Sequence, residues 1–140
     1  MLGKIYGYYP EDPIEAQRVD ATLQANADIL DKLWQAITAK EEEKESKFTA
    51  YFSEQLPKYF EQMEARLKRL SKGKYIHGEK MTLADIHNVN TYATYFINDL
   101  NPAHKQSMEA LEKHPDLLAY YKTLAEDLKE YFEKRPKRPY

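Results

Sequence analysis

From Phe48 to Leu70 the apolar positions Phe52, Leu56, Tyr59/Phe60, Met63, Leu67 and Leu70 repeat at steps of three and four, the period of a helix buried along one face. Pro57 falls inside that run and predicts a kink or the start of a new helix, since proline has no N–H for the ladder. Residues 13–39 show a similar spacing, with Ile14, Val19, Leu23, Ala27, Leu30, Trp34 and Ile37 on the predicted inward face. Asp12-Pro13 reads as N-cap and first helical residue of this long element. A central helix is predicted over 83–98, with Ile86, Val89, Ala93 and Phe96/Ile97 inward. A short helix from about His104 to Glu112 and a last one over 116–134, carrying Leu117, Tyr120/Tyr121, Leu124, Leu128 and Phe132, complete the pattern. The segments between them are polar or broken: Lys40–Lys47 as a solvated helix end or loop, Ser71–Lys74, Asn101-Pro102, and His114-Pro115-Asp116. No strand-like alternation and no internal repeat occurs. The expected fold is all-α, an orthogonal bundle of five to six helices.

One local signal stands out. Thr82 and Asp85 have the spacing of a capping box, in which the Thr hydroxyl accepts from the N3 amide and the N3 carboxylate accepts from the N-cap amide. Met81 and Ile86 flank the pair at the positions of a hydrophobic staple, and Asp85 meets the positive end of the helix dipole. The residues themselves assign Thr82 and Asp85 to structure, so changing Asp85 is expected to cost about 0.5–2 kcal/mol, the range for a helix cap.

Composition removes several functions. With 140 residues and a net charge of -2, the chain lacks the basic footprint expected of a nucleic-acid binder. It has no cysteine, hence no disulfide framework, thiol nucleophile or zinc-thiolate cluster. His77, His87, His104 and His114 show no i,i+4 pairing, and no metal site is expected. No apolar run is long enough to span a membrane, the first residues lack a signal-peptide pattern, and a cytoplasmic location is the default. The tail Lys134-Arg135-Pro136-Lys137-Arg138-Pro139 is a small basic cluster, read as a solvated end or a weak anionic-surface contact. Twelve tyrosines supply large amphipathic rings suited to partly buried interfaces.

The stretch Lys74-Tyr75-Ile76-His77-Gly78-Glu79-Lys80-Met81-Thr82-Leu83-Ala84-Asp85 resembles the motif that opens the central helix of the C-terminal, all-helical domain in cytosolic glutathione transferases, closest to the sigma, pi, alpha and mu group. Val19-Asp20-Ala21 with Asp28, Leu56-Pro57-Lys58-Tyr59-Phe60, and His114-Pro115-Asp116-Leu117 followed by Arg135-Pro136 extend the resemblance along the chain. Met1-Leu2-Gly3-Lys4 resembles the end of the last helix of that family's N-terminal thioredoxin-like domain. The resemblance implies that 1–12 are a remnant of that helix plus interdomain linker, and 13–140 the helical domain, with the glutathione-activating domain lacking. It implies an activity, conjugation of glutathione to electrophiles, to which this chain would contribute pocket wall and dimer contacts without being catalytic alone. Asp28 would reach the amino group of glutathione on a neighbouring subunit, although a solvent-facing helix Asp fits the spacing equally. Trp34 and Thr38 are candidate lining residues of the electrophile pocket, with core or interface packing the alternative for Trp34. No catalytic residue, metal or cofactor is assigned; glutathione would be a co-substrate only with the N-terminal domain present. Leu2, Ile5, Tyr6, Tyr8 and Tyr9 would form the face for that domain or for a protein partner in a homo- or hetero-oligomer. The alternative is a non-catalytic helical module serving assembly in a larger complex.

Overall fold

The computed structural model describes residues 2–71, 73–136 and 138; Met1 of the proposed remnant, Lys72 of the helix-terminating run, and Lys137 and Pro139 of the basic tail lie outside the described residues. Eight α-helical segments occur among the described residues: α1 Leu2–Ile5, α2 Pro13–Ile37, α3 Glu41–Ala50, α4 Leu56–Leu70, α5 Leu83–Thr91, α6 His104–Leu111, α7 Pro115–Asp127 and α8 Lys129–Lys134. No strand is present among them. The one isolated bridge joins Tyr75 and Gly78, where Gly78 takes φ +123°, a conformation L side chains rarely adopt.

Two π-helical stretches join these segments into longer rods: Tyr51–Gln55 between α3 and α4, and Tyr92–Phe96 continuing α5. At the first, Leu56 N–H bonds to Tyr51 C=O, one residue beyond the α register. Pro57 follows directly, and having no N–H of its own it cannot bond back to Ser53, so the extra residue absorbs the break that its ring would otherwise force. The proline thus stands at the second position of α4, directly after the π stretch. Lys40–Lys47, read as helix end or loop, belongs mostly to α3, whose ten residues include none that is buried. Its Glu43–Lys47 pair, at 3.2 Å, lies on this solvated face. The last predicted helix begins at Pro115 rather than after it and breaks at Leu128, between α7 and α8.

Helix α2 starts on Asp12, whose Oδ1 accepts from the amides of Ile14 (3.0 Å) and Glu15 (2.9 Å). Its buried face differs from the predicted one. Val19, Thr22, Asn26, Ile29, Leu33 and Ala36 are buried, Leu23 and Leu30 are half-buried, and Ala27 and Ile14 are exposed. The helix is turned by about one position because Asn26 has partners inside the bundle, so two polar residues occupy the inward stripe. On α5 and its π extension the buried set is Ala84, Asp85, Asn88, Val89, Thr91, Tyr92, Thr94 and Phe96. Ile86 and Ala93 are half-buried and Ile97 is 45% exposed, so Ile97 is not an inward residue. The π register explains the shift: Ile97 N–H bonds to Tyr92 C=O at 3.1 Å, which rotates Ile97 out of the row that Phe96 keeps.

The core lies where α2, α4, α5 and α7 meet. Phe60 and Phe96 stack edge-on (centroids 5.3 Å apart), and Tyr92 lies flat on Tyr121 at 5.1 Å. Tyr51, Leu56, Met63, Leu117 and Leu124 fill the space around them.

Candidate functional site

Asp85 is fully buried. Its carboxylate receives four hydrogen bonds: Oδ1 from Ile76 N–H (2.9 Å) and Tyr120 O–H (2.8 Å), Oδ2 from Thr82 N–H (2.8 Å) and Thr82 O–H (2.9 Å). The capping box is therefore one half of its role. The other half reaches outside the helix, fixing the 75–78 turn through Ile76 and α7 through Tyr120. Among the described residues no cation lies within ion-pair distance, so donor dipoles alone offset the burial of this acid. Assigning Asp85 to its own helix end understates its part.

The network continues inward. Asn88 Nδ2 donates to Tyr120 O at 2.9 Å, and Asn26 Nδ2 donates to Asn88 Oδ1 at 2.6 Å. Tyr59 O–H donates to Asn26 Oδ1, and its oxygen lies 3.3 Å from the Tyr121 hydroxyl, which must then be the donor. Every bond in this row, Tyr121 to Tyr59 to Asn26 to Asn88 to Tyr120 to Asp85, points the same way, towards the carboxylate. Aligned donors of this kind polarise one another. Burial raises the pKa of Tyr59, Tyr120 and Tyr121, and for Tyr120 the adjacent Asp85 charge adds to it. Asn26 and Asn88 were missed from the sequence. Their one signal is a polar residue interrupting an otherwise apolar helical row, which reads equally as a row drawn one position off.

The segment before α2 is tied to the start of α5. Leu83 N–H donates to Tyr8 C=O at 2.8 Å, satisfying an amide that the helix leaves without an internal acceptor. Gly3 sits so close to Leu83 that a Cβ there would come within 2.6 Å of Leu83 Cδ1. Tyr9 O–H donates to Asp20 Oδ2 at 2.8 Å, and Lys4 lies over the Tyr9 ring. With its backbone held this way, the segment turns Leu2, Ile5 and Tyr6 outward at 69%, 62% and 70% exposure; Tyr8 and Ile14 are also exposed. A cleft of about 780 Å³ opens between it and the Thr82 end of α5, its lining including Lys4, His77, Lys80, Glu11, Asp12 and Glu15.

Asp28, Trp34 and Thr38 all lie on exposed surface of α2 or its C-terminal end. Asp28 Oδ1 accepts from Gln24 Nε2 at 2.7 Å. Thr38 caps the helix, its hydroxyl donating to Trp34 C=O at 2.8 Å, so these two share one side. Asp28 lies six residues before Trp34, about a third of a turn around the helix and roughly 9 Å along it. The structure thus brings Trp34 and Thr38 together and leaves Asp28 apart from them.

The histidines have separate settings. His77 Nε2 lies 3.2 Å from Thr22 Oγ1, and burial lowers its pKa, as it does that of His87. His114 Nδ1 is 3.3 Å from Glu64, and His104 Nδ1 is 2.7 Å from Asn101 C=O. Among the described residues no group of acids and histidines is placed to hold a metal ion, and no helix is long and apolar enough to cross a membrane. The basic tail is not simply solvated. Arg135 Nη1 donates to Asn90 Oδ1 (2.7 Å) and Nη2 to Thr94 Oγ1 (3.1 Å), while Asn98 Nδ2 donates to Arg138 C=O (2.6 Å).

The sequence pattern of the family described as "Glutathione S-transferase, C-terminal domain" matches residues 27–135. No curated protein sequence gives a significant match.

Proposed function

Because the chain belongs to the glutathione S-transferase C-terminal domain family, we propose that it is the helical half of a glutathione-conjugating protein, supplying pocket wall and subunit contacts rather than the thiol chemistry. The observation that carries this reading is the outward apolar face of Leu2, Ile5, Tyr6 and Tyr8 on a segment whose backbone is fastened to α5. Apolar side chains grouped on a rigid support mark a surface that another protein unit covers. In this reading a thioredoxin-like domain covers it and brings glutathione. Trp34 and Thr38, side by side at the end of α2, form the electrophile wall. Asp28, exposed and accepting a bond from the neutral Gln24 amide, pairs with the glutathione ammonium of a neighbouring subunit.

The test is conjugation of glutathione to an aryl halide by the 140-residue chain alone and by the chain joined in frame behind a thioredoxin-like transferase domain. The chain alone should give the buffer rate and the joined protein a rate well above it. Conjugation by the chain alone would overturn the division of labour. The same exposed face also suits a non-catalytic module docked in a larger assembly. A joined protein that is inert, together with a chain that self-associates through Leu2 and Tyr6, would favour that second reading.

A further inference from the structure

Where α4 crosses α2, three arginines come together with most of their charge unmatched. Arg66, half-buried on α4, reaches across to α2, where its Nη1 donates to Ala21 C=O (3.2 Å) and Thr22 Oγ1 (3.1 Å). Both acceptors are neutral. A guanidinium carries five N–H donors in a fixed plane, so Nε and Nη2 keep three for another acceptor. Arg18 stands one turn before Thr22 on α2, and Arg69 one turn after Arg66 on α4, so each shares a helix face with one end of this crossing. Both are exposed, and among the described residues neither side chain makes a hydrogen bond or ion pair. Their charges reach the groups at the crossing. Burial lowers the pKa of Arg66, and the Arg69 charge lowers it further. Burial also lowers that of His77, whose Nε2 lies 3.2 Å from the same Thr22 hydroxyl, and the Arg66 and Arg18 charges add to this against Asp85.

The acids in reach set the balance. Three and four positions from Arg66 along α4 stand Gln62, Met63, Arg69 and Leu70, and before Arg69 stand Ala65 and Arg66, none of them acidic. Glu64 is taken by Lys68 at 3.5 Å and His114 at 3.3 Å, and Asp85 is enclosed by its own four donors. Glu15, three positions before Arg18, is the carboxylate that the helix spacing leaves to offset them. Three cations less one acid leave an excess of two positive charges. We infer that Arg18, Arg66 and Arg69 form a binding site for a phosphate monoester dianion. The excess equals the charge of that dianion, and the planar N–H fork of arginine fits two phosphate oxygens at once. Arg66, fixed to α2 by its own bonds, is the anchor, and Arg18 and Arg69 close on the ligand from the two helices. A sulfate ester has the same three terminal oxygens but a single charge, and leaves one of the cations unmatched.

The probe is phenyl phosphate, titrated into the full chain at about pH 7.5, well above its second pKa of about 6, with phenyl sulfate as the monoanionic isostere. Amide shifts in NMR spectra follow the binding. Saturable shifts should concentrate at Ala21, Thr22 and Arg66, and the phosphate should bind about tenfold more tightly than the sulfate, a difference of one charge-assisted interaction. Arg18→Gln and Arg69→Gln should each weaken phosphate binding by about threefold or more, and the double variant should bind the two esters alike. Arg69→Lys should retain part of the preference, keeping the charge without the fork. Neither side chain bonds to the rest of the described chain, so the urea midpoints of these variants should match that of the unaltered chain, which separates loss of the site from loss of the fold. Equal affinity of the two esters for the unaltered chain would overturn the proposal, as would shifts centred on Arg135 and Arg138, or full phosphate affinity in the double variant.

Discussion

The substitution Asp85→Asn tests the view that one buried carboxylate fastens three parts of the bundle. It keeps the shape and replaces one acceptor oxygen by an NH2 donor. Each Asp85 oxygen takes two donors, so either orientation of the amide sets the NH2 against a pair of them. The less costly orientation faces Thr82, whose hydroxyl can rotate and accept. Thr82 N–H is then left buried without a partner, at about 1–3 kcal/mol. The two bonds kept at Oδ1 lose their charge assistance, at about 0.5–1 kcal/mol each. The expected loss is about 2–5 kcal/mol, against about 1 kcal/mol for removing a cap alone. That is a large share of the roughly 5–15 kcal/mol that holds a domain of this size together. Urea unfolding followed by far-UV circular dichroism measures it, with Thr82→Ala, which removes the cap hydroxyl and only one of the four donors to Asp85, as the reference. A loss for Asp85→Asn no greater than for Thr82→Ala, at unchanged m-value, would refute the reasoning.

Four further outcomes follow from the same geometry. Along the polar row, Tyr121→Phe removes only its terminal donor and should cost under about 1 kcal/mol, whereas Asn26→Ala orphans Asn88 and Tyr59 and should cost about 2–4 kcal/mol; urea midpoints rank them. His77 and His87 have folded pKa values lowered by burial, so protons favour the unfolded chain. Stability should be full above the ordinary histidine pKa of about 6.5 and decline as pH falls below it, with a shallower slope in the midpoint-against-pH curve of His77→Gln. Tyr59, Tyr120 and Tyr121 are shifted the opposite way in effect, with folded values raised. Their stabilisation is present below about pH 10 and lost above it, so alkaline absorbance titration should show a late tyrosine class appearing together with unfolding. Leu2→Ser with Tyr6→Ser should leave the unfolding midpoint nearly unchanged, since both side chains are exposed, yet reduce any concentration-dependent association seen by sedimentation velocity.

The sequence by itself determined most of the helical stretches (not Glu41–Lys47 or the break at Leu128), where Asp12 and Thr82 begin helices, and the family, because these depend on local spacing: a side-chain oxygen two or three residues from an orphan amide, a proline without an N–H, an apolar residue each three or four positions. Tertiary structure decided what those local rules leave free. The rotation of α2 by one position and the tethering of Arg135 to Asn90 and Thr94 each depend on a partner tens of residues away, while the outward swing of Ile97 follows a π turn that apolar spacing does not announce. The same holds for Asp85. Its spacing from Thr82 announces a cap, but Ile76 and Tyr120 become its donors only when the 75–78 turn and α7 fold against it, and a buried charge must find every donor the finished bundle can offer.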